Sequence, residues 1–174
     1  MNNDKIDFAA IRAIAFDVDG VLSPSTIPLG LDGEPMRMVN IKDGYAMQLA
    51  VKMGLDLCII TGARPQSIEK RYSRLGMTDI YLGAADKLPI FYRWVGEKGL
   101  QRHEVAYVGD DIPDLQVLKA AGLAIAPADA APEVLEVAHY ITPCAGGMGV
   151  ARDVIEHVLK ARNQWLDKAH AFGW

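Results

Sequence analysis

Residues Ile11–Leu22 read IRAIAFDVDGVL. The run opens apolar, Ala13-Ile14-Ala15-Phe16, and then sets two aspartates one residue apart, Asp17 and Asp19, before Gly20. An apolar run ending in carboxylates predicts a buried strand whose C-terminal end emerges into a polar crevice. Alternate residues of an extended strand point the same way, so Asp17 and Asp19 share one small space if extension persists that far. Like charges so placed repel unless a cation or a proton lies between them. Taken alone, the stretch reads equally as a strand followed by an Asx-type turn.

The rest of the chain decides between these readings. It has 174 residues, enough for one domain with a full core. A hydrophobic fraction of 51% and a charged fraction of 23% are ordinary for a soluble globular protein. The formal net charge of −4 argues against non-specific nucleic-acid binding. Cys58 and Cys144 are the two cysteines, too few for a disulfide framework and without zinc-type spacing. The N-terminal MNNDKIDFAA has no apolar core and does not read as a signal peptide. No apolar run approaches the roughly 20 residues that span a bilayer. The expected location is the cytoplasm, with no membrane partner.

Downstream of the opening strand, residues 23–40 are rich in Pro and Gly, with Asp32-Gly33 between two short apolar stretches. Asp-Gly predicts a β-hairpin, and Pro28 and Pro35 confine it to an edge. A helix is predicted from about Asp43, stopped by Gly54, then a strand, Leu55–Ile60, ending at Thr61-Gly62. A second helix starts at Pro65 with Ile68, Tyr72 and Leu75 as its stripe. Further strands are predicted at Ile80–Leu82, Val105–Val108, Leu123–Ala126 and Tyr140–Thr142. Helices are predicted at about Lys87–Lys98, from Pro113 to Gly122, after Pro132, and over about Val150–Trp165.

Strands alternating with helices imply an α/β fold, a doubly wound, Rossmann-like parallel sheet. Order 3-2-1-4-5-6 gathers the polar strand ends at the switch point between strands one and four, where ligands bind in such folds. Asp17 and Asp19 then meet Asp110 and Asp111, with Thr61 beside them. Four carboxylates in one crevice need a cation, and hard oxygen ligands on rigid strand ends suit Mg2+. Carboxylates with Mg2+, a hydroxyl and an ammonium are equipment for phosphoryl transfer. An aspartate can serve as nucleophile and a second carboxyl group as acid and base. Singly, Thr61 also reads as a helix cap, Lys87 as a solvated helix residue and Asp114 as compensation of a helix start.

Together, DVDGV at 17–21, Thr61-Gly62, Lys87 and GDDIPD at 109–114 resemble the four motifs of the haloacid dehalogenase superfamily of phosphatases. The resemblance spans about Ile11 to Leu159. It implies a haloacid dehalogenase-like fold in one domain covering residues 1–174, with a hairpin at about 23–40, a tail at about 163–174 and no cap domain. It implies Asp17 as nucleophile, Asp19 as general acid and base, Thr61 hydrogen-bonding the phosphoryl group and Lys87 neutralising it. It makes Asp110 a Mg2+ ligand with Asp17 and the Asp19 backbone carbonyl, Asp111 a support acting on Lys87 or through water, and Asp114 a support of its loop.

A closer resemblance is to the capless 3-deoxy-D-manno-octulosonate 8-phosphate (KDO 8-phosphate) phosphatases. It rests on IKDGYAMQLA at 41–50, IITG at 59–62, YVGDDIPDLQVLKAAGLAIAPADA at 107–130 and AGGMGVARDVIEHVL at 145–159. These imply a small phosphorylated acidic sugar as substrate and a homotetramer as assembly. Two positions depart from the pattern, Ala63 where an Arg usually follows Thr-Gly, and Met148 where an Arg usually interrupts the glycines. Gly62, Arg64, Arg71 and Arg74 are the remaining candidates for holding substrate. A nine-carbon relative, 2-keto-3-deoxynononate 9-phosphate, is the alternative substrate. A phospho-accepting signalling domain of the response-regulator type also uses aspartates, a Thr and a Lys on such a sheet. It has no need of a residue like Asp19. The hairpin residues Ile27, Leu29, Met36, Met38 and Val39, with Trp165, Phe172 and Trp174, are expected to pack against a neighbouring subunit and lid its site.

Overall fold

The computed structural model describes residues 6–173. Trp174 of the tail lies outside the described residues. Six parallel strands form one sheet: β1 (Ala13–Phe16), β2 (Asp56–Ile60), β3 (Asp79–Tyr81), β4 (Val105–Val108), β5 (Leu123–Ala126) and β6 (Tyr140–Ile141). Their order is β3-β2-β1-β4-β5-β6, as the gathering of polar strand ends requires. Six helices connect and flank them: α1 (Ile41–Lys52), α2 (Gln66–Ser73), α3 (Lys87–Glu97), α4 (Leu115–Ala120), α5 (Pro132–Val137) and α6 (Val150–Ala161).

The alternation of side chains along each strand divides the core in two. Ile14, Phe16, Leu57, Ile59, Ala106, Val108 and Ile125 face a layer built from α1, α2 and α6. Ala13, Ala15, Cys58, Ile60, Val105, Tyr107, Ala124 and Ala126 face Phe91 and Trp94 of α3, Val117 and Leu118 of α4, and Val134 of α5. Both faces are covered, so the central strands are apolar throughout rather than alternating. Each buried Leu, Ile or Phe stabilises the fold by about 1.5–3 kcal/mol relative to exposure.

Register brings the strand ends level. Phe16 pairs with both Ile59 and Val108. The Asp17 amide continues that ladder by donating to the Val108 carbonyl at 3.0 Å, and the Thr61 amide donates to the Tyr81 carbonyl at 3.0 Å. The first polar residues after β1, β2 and β4 therefore emerge side by side.

Four local features differ from the sequence reading. The predicted hairpin at 23–40 contains one antiparallel bridge, Leu29 with Pro35, flanked by hydrogen bonds from Gly30 N to Glu34 O and Met36 N to Pro28 O, both 2.8 Å. Neither proline can donate to a ladder, so the pairing stops there. Helix α1 starts earlier than Asp43, because the Asn40 side chain caps it by accepting from the Lys42 and Asp43 amides. Pro113 lies in a 3-10 turn, Ile112–Asp114, that precedes α4. Helix α6 ends at Ala161 rather than Trp165. Asn163 adopts φ 57°, and the Gln164 amide turns back to the Leu159 carbonyl, a left-handed helix stop.

The tail folds onto its own chain. Trp165 is buried, with the Arg152 guanidinium 4.4 Å from its ring centroid and Tyr45 edge-on to it. The Tyr45 hydroxyl donates to the Ala171 carbonyl. Leu29, Met36, Met38 and Val39 remain exposed.

Candidate active site

The strand ends enclose a cavity of about 480 Å3, lined among others by Asp17, Asp19, Thr61, Lys87, Asp110 and Asp114. At its centre is Lys87, the first residue of α3, which is 6% exposed. Its Nζ bridges Asp17 Oδ2 at 3.0 Å and Asp114 Oδ1 at 2.8 Å. Asp114 is itself buried and accepts from the Tyr107 hydroxyl at 2.6 Å and from the Asp110 amide at 3.1 Å. The 3-10 turn at Ile112–Asp114 brings this carboxylate back beneath Asp110. Carboxylate oxygens of Asp17, Asp110 and Asp114 lie within 4.8 Å of one another.

Backbone geometry holds the opposite wall. Gly20 has φ +81°, and a Cβ there would lie 1.9 Å from Asp110 Oδ2, so only glycine lets the DVDG turn meet that carboxylate. The Gly146 backbone packs on the Gly20 carbonyl, where a Cβ would lie 2.1 Å away, and the Gly147 amide donates to the Val21 carbonyl at 2.8 Å. The Gly146–Gly149 turn thus braces the DVDG loop. Thr61 is buried, and its Oγ1 accepts from the Ala63 amide at 3.2 Å. Its hydroxyl proton stays available to a ligand.

Asp19 is held differently. Arg37, from the 23–40 segment, donates Nε to Asp19 Oδ1 and Nη2 to Asp19 Oδ2, each at 2.7 Å. This is the bidentate arginine–carboxylate pair.

The electrostatics follow from burial and crowding. Burial, then Asp114, raise the Asp17 carboxyl to about 6, against the pull of Lys87. Burial, then Asp17 and Asp114, raise Asp110 to about 7. Burial pulls Lys87 down, but Asp17 and Asp114 outweigh it and hold the ammonium above its ordinary range. One lysine therefore faces three carboxylates, and the excess negative charge fits a hard divalent cation with oxygen ligands.

A haloacid dehalogenase-like hydrolase family model matches residues 72–154. The 3-deoxy-D-manno-octulosonate 8-phosphate phosphatase of Yersinia pestis is 39% identical over 163 residues, which cover 93% of this chain and 87% of that one. The crystal structure of a Yersinia pestis phosphatase of the same name superposes with a TM-score of 0.88 at 38% identity, covering 92% of this chain and 88% of that one. The chain belongs to the haloacid dehalogenase-like hydrolases. A third relative, the KDO 8-phosphate phosphatase of Moraxella catarrhalis solved with magnesium, phosphate and KDO, superposes with a TM-score of 0.88. It is 32% identical, and 96% of each chain is covered.

This hydrolase gathers Asp17, Asp19, Thr61, Gly62, Lys87, Asp110, Asp111 and Asp114 at one cavity. Three arginines expected near substrate do not line it. The exposed Arg64 lays its stem over Gly83, whose Cβ would be 3.6 Å from Arg64 Cγ. Arg71 turns toward α1, where its Nη2 would lie 2.4 Å from a Cβ on Gly44. Its Nε is buried with no hydrogen-bond partner among the described residues. Arg74 is exposed just beyond the end of α2. Asp111 was expected to act on Lys87 or through metal-bound water; it is exposed, its backbone carbonyl receives the Asp114 amide at 2.9 Å, and the ion pairs of Lys87 among the described residues go to Asp17 and Asp114 instead. Asp114 takes the place against Lys87. Arg37 and Tyr107 were missed. Tyr107 had left a signal, since a tyrosine within a fully buried strand needs a partner for its hydroxyl. Arg37 had left none beyond its charge.

A pH dependence follows for the hydrolase without metal. Asp17 and Asp110 titrate at about 6 and about 7 in the folded chain, above the ordinary 3.8. The folded state therefore holds protons that the unfolded state has released, and this contribution to stability is lost as pH rises through about 6–7. A bound divalent cation replaces those protons. The rise in melting temperature caused by Mg2+ should be larger at pH 7.5 than at pH 5, by differential scanning fluorimetry. An equal rise at both would contradict a cation among these carboxylates.

Proposed function

We propose that this chain is a Mg2+-dependent phosphoric monoester hydrolase acting as a single capless domain on a small phosphorylated acidic sugar. KDO 8-phosphate, cleaved to KDO and phosphate, is the leading substrate. The carrying observation is the buried Asp17–Lys87–Asp114 bridge beside Asp110 and Thr61 in a haloacid dehalogenase-like hydrolase. The relatives' activity and the Moraxella catarrhalis phosphatase solved with magnesium, phosphate and KDO support the substrate and the cofactor.

The residues divide the work as follows. Asp17 Oδ attacks phosphorus, the ester P–O bond breaks, and the leaving alkoxide takes a proton from Asp19. Asp19 then takes a proton from water, which attacks the aspartyl-phosphate, releasing phosphate and restoring Asp17. Lys87 neutralises charge on the phosphoryl oxygens, and Thr61 donates its hydroxyl proton to one of them. Asp114 fixes Lys87 and the Asp110 amide. Asp17, Asp110 and the Asp19 backbone carbonyl would hold Mg2+, which supplies further positive charge to the phosphoryl group.

The expected result across a panel of sugar phosphates is turnover that chelation abolishes and Mg2+ restores. KDO 8-phosphate should lead and the nine-carbon keto-deoxy acid should follow. Phosphate release unaffected by chelator would overturn the assignment.

Among the described residues no helix is long and apolar enough to cross a membrane, and a cytoplasmic enzyme is the reading that suits this substrate. Leu29, Met36, Met38 and Val39 are exposed on the segment whose Ser25 lines the cavity, and we propose a homotetramer in which the 23–40 segment packs on a neighbour. Light scattering should give four chains at micromolar concentration, and a fully active monomer would exclude this arrangement.

A further inference from the structure

Among the described residues, two cationic groups are bonded to carboxylates that line the cavity, and they differ in kind. Lys87 is buried and shared between Asp17 and Asp114. Arg37 does not line the cavity itself and meets it through one partner, Asp19, whose side chain is 43% exposed, while the arginine side chain is 13% exposed. Both guanidinium bonds go to Asp19, one to each oxygen, so the arginine fixes the direction of a carboxylate that lines the cavity. The placement of Arg37 is built into the fold. Next to it, the Met38 amide donates to Ser23 Oγ at 3.1 Å, and Ser23 forms a bridge with Asp19 itself. Two residues on, the Asn40 side chain donates to the Gly147 carbonyl at 3.3 Å. Both ends of the 23–40 segment are thus tied beside the DVDG turn.

We infer that Arg37 is a specificity-determining residue: its guanidinium holds Asp19 and exchanges that carboxylate for the carboxylate of an incoming acidic sugar phosphate. This rests on the phosphatase reading above and assigns the group that recognises the substrate's acid end. The exchange swaps one bidentate carboxylate for another, so both guanidinium bonds are kept and Asp19 is released toward the ester oxygen. A sugar phosphate without a carboxylate offers nothing in return. It must leave Asp19 clamped or strip the guanidinium without replacement, and a site with an unmatched charged donor rejects such a ligand strongly. Selection for acidic substrates and delivery of the proton-transfer residue are then one event.

The experiment compares KDO 8-phosphate with ribose 5-phosphate, which carries no carboxylate, in the wild type, Arg37→Met and Arg37→Lys. The wild type should favour the acidic ester by kcat/KM. Arg37→Met should lose about ten- to hundredfold more on the acidic ester than on the neutral one, chiefly through KM. Arg37→Lys, which keeps charge but not the fork, should recover part of the difference. Melting curves of the three proteins separate this from misfolding. Equal losses on both esters would make Arg37 a brace for Asp19 and overturn the inference, while leaving the phosphatase reading intact. Failure of the wild type to hydrolyse any ester would instead sink the phosphatase reading. Calorimetric titration with KDO, which needs no turnover, reads the contact directly. Binding to the wild type that weakens about tenfold or more in Arg37→Met is expected; equal binding, or none to either, would overturn the inference.

Discussion

Asp17→Asn is expected to fold as the wild type does and to lose phosphatase turnover by at least about 10⁴-fold, the scale seen when an enzyme loses its nucleophile. The amide matches the carboxylate in shape but cannot attack phosphorus. Lys87 keeps its bond to Asp114 at 2.8 Å, so the buried ammonium is not abandoned. The substitution also removes a buried charge that burial and Asp114 push up to about 6. At pH 7.5 without metal, the variant should therefore melt no lower than the wild type. Phosphate release from a clean preparation at more than one hundredth of the wild-type rate would refute Asp17 as nucleophile.

Asp114→Ala should act in the opposite way, through stability first. Three donors converge on this buried carboxylate: Lys87 at 2.8 Å, the Tyr107 hydroxyl at 2.6 Å and the Asp110 amide at 3.1 Å. Alanine leaves a buried ammonium with one partner and a buried hydroxyl with none. Breaking such a buried pair costs about 3–5 kcal/mol. In a chain of this size that lowers the melting temperature by roughly 10 °C. Turnover should fall as well, since Lys87 and Asp110 lose the group that aims them. Asp114→Asn, which keeps an acceptor oxygen, should be milder on both counts. Denaturant unfolding with a loss below about 1 kcal/mol for the alanine variant would show that Asp114 is not the bracket of the site.

The sheet and its switch point can be read from the order of apolar runs and helical stripes alone. Short apolar runs separated by helical stripes admit few arrangements, and placing strand one between strands two and four puts Asp17, Thr61 and Asp110 at neighbouring strand ends. That order, β3-β2-β1-β4-β5-β6, is the one observed. Asp17, Thr61 and Lys87 were legible for the same reason, since each directly follows a strand or opens a helix, where position along the chain fixes position in space, and Asp19 and Asp110 lie within three residues of a strand end. Side chains that reach the site from elsewhere were not legible. Nothing in residues 23–40 showed that Arg37 would close on Asp19, because the path of an irregular segment depends on what it packs against. Arg71 and Arg74 share a helical stretch, but where that stretch points was set by packing, and it carries Arg71 against α1. The partner of Lys87 turned on a single 3-10 turn, which places Asp114 rather than Asp111 against the ammonium. Strand ends are fixed by a periodicity that the sequence displays, whereas the direction of a side chain leaving a loop or a helix face is fixed by the contacts that close around it.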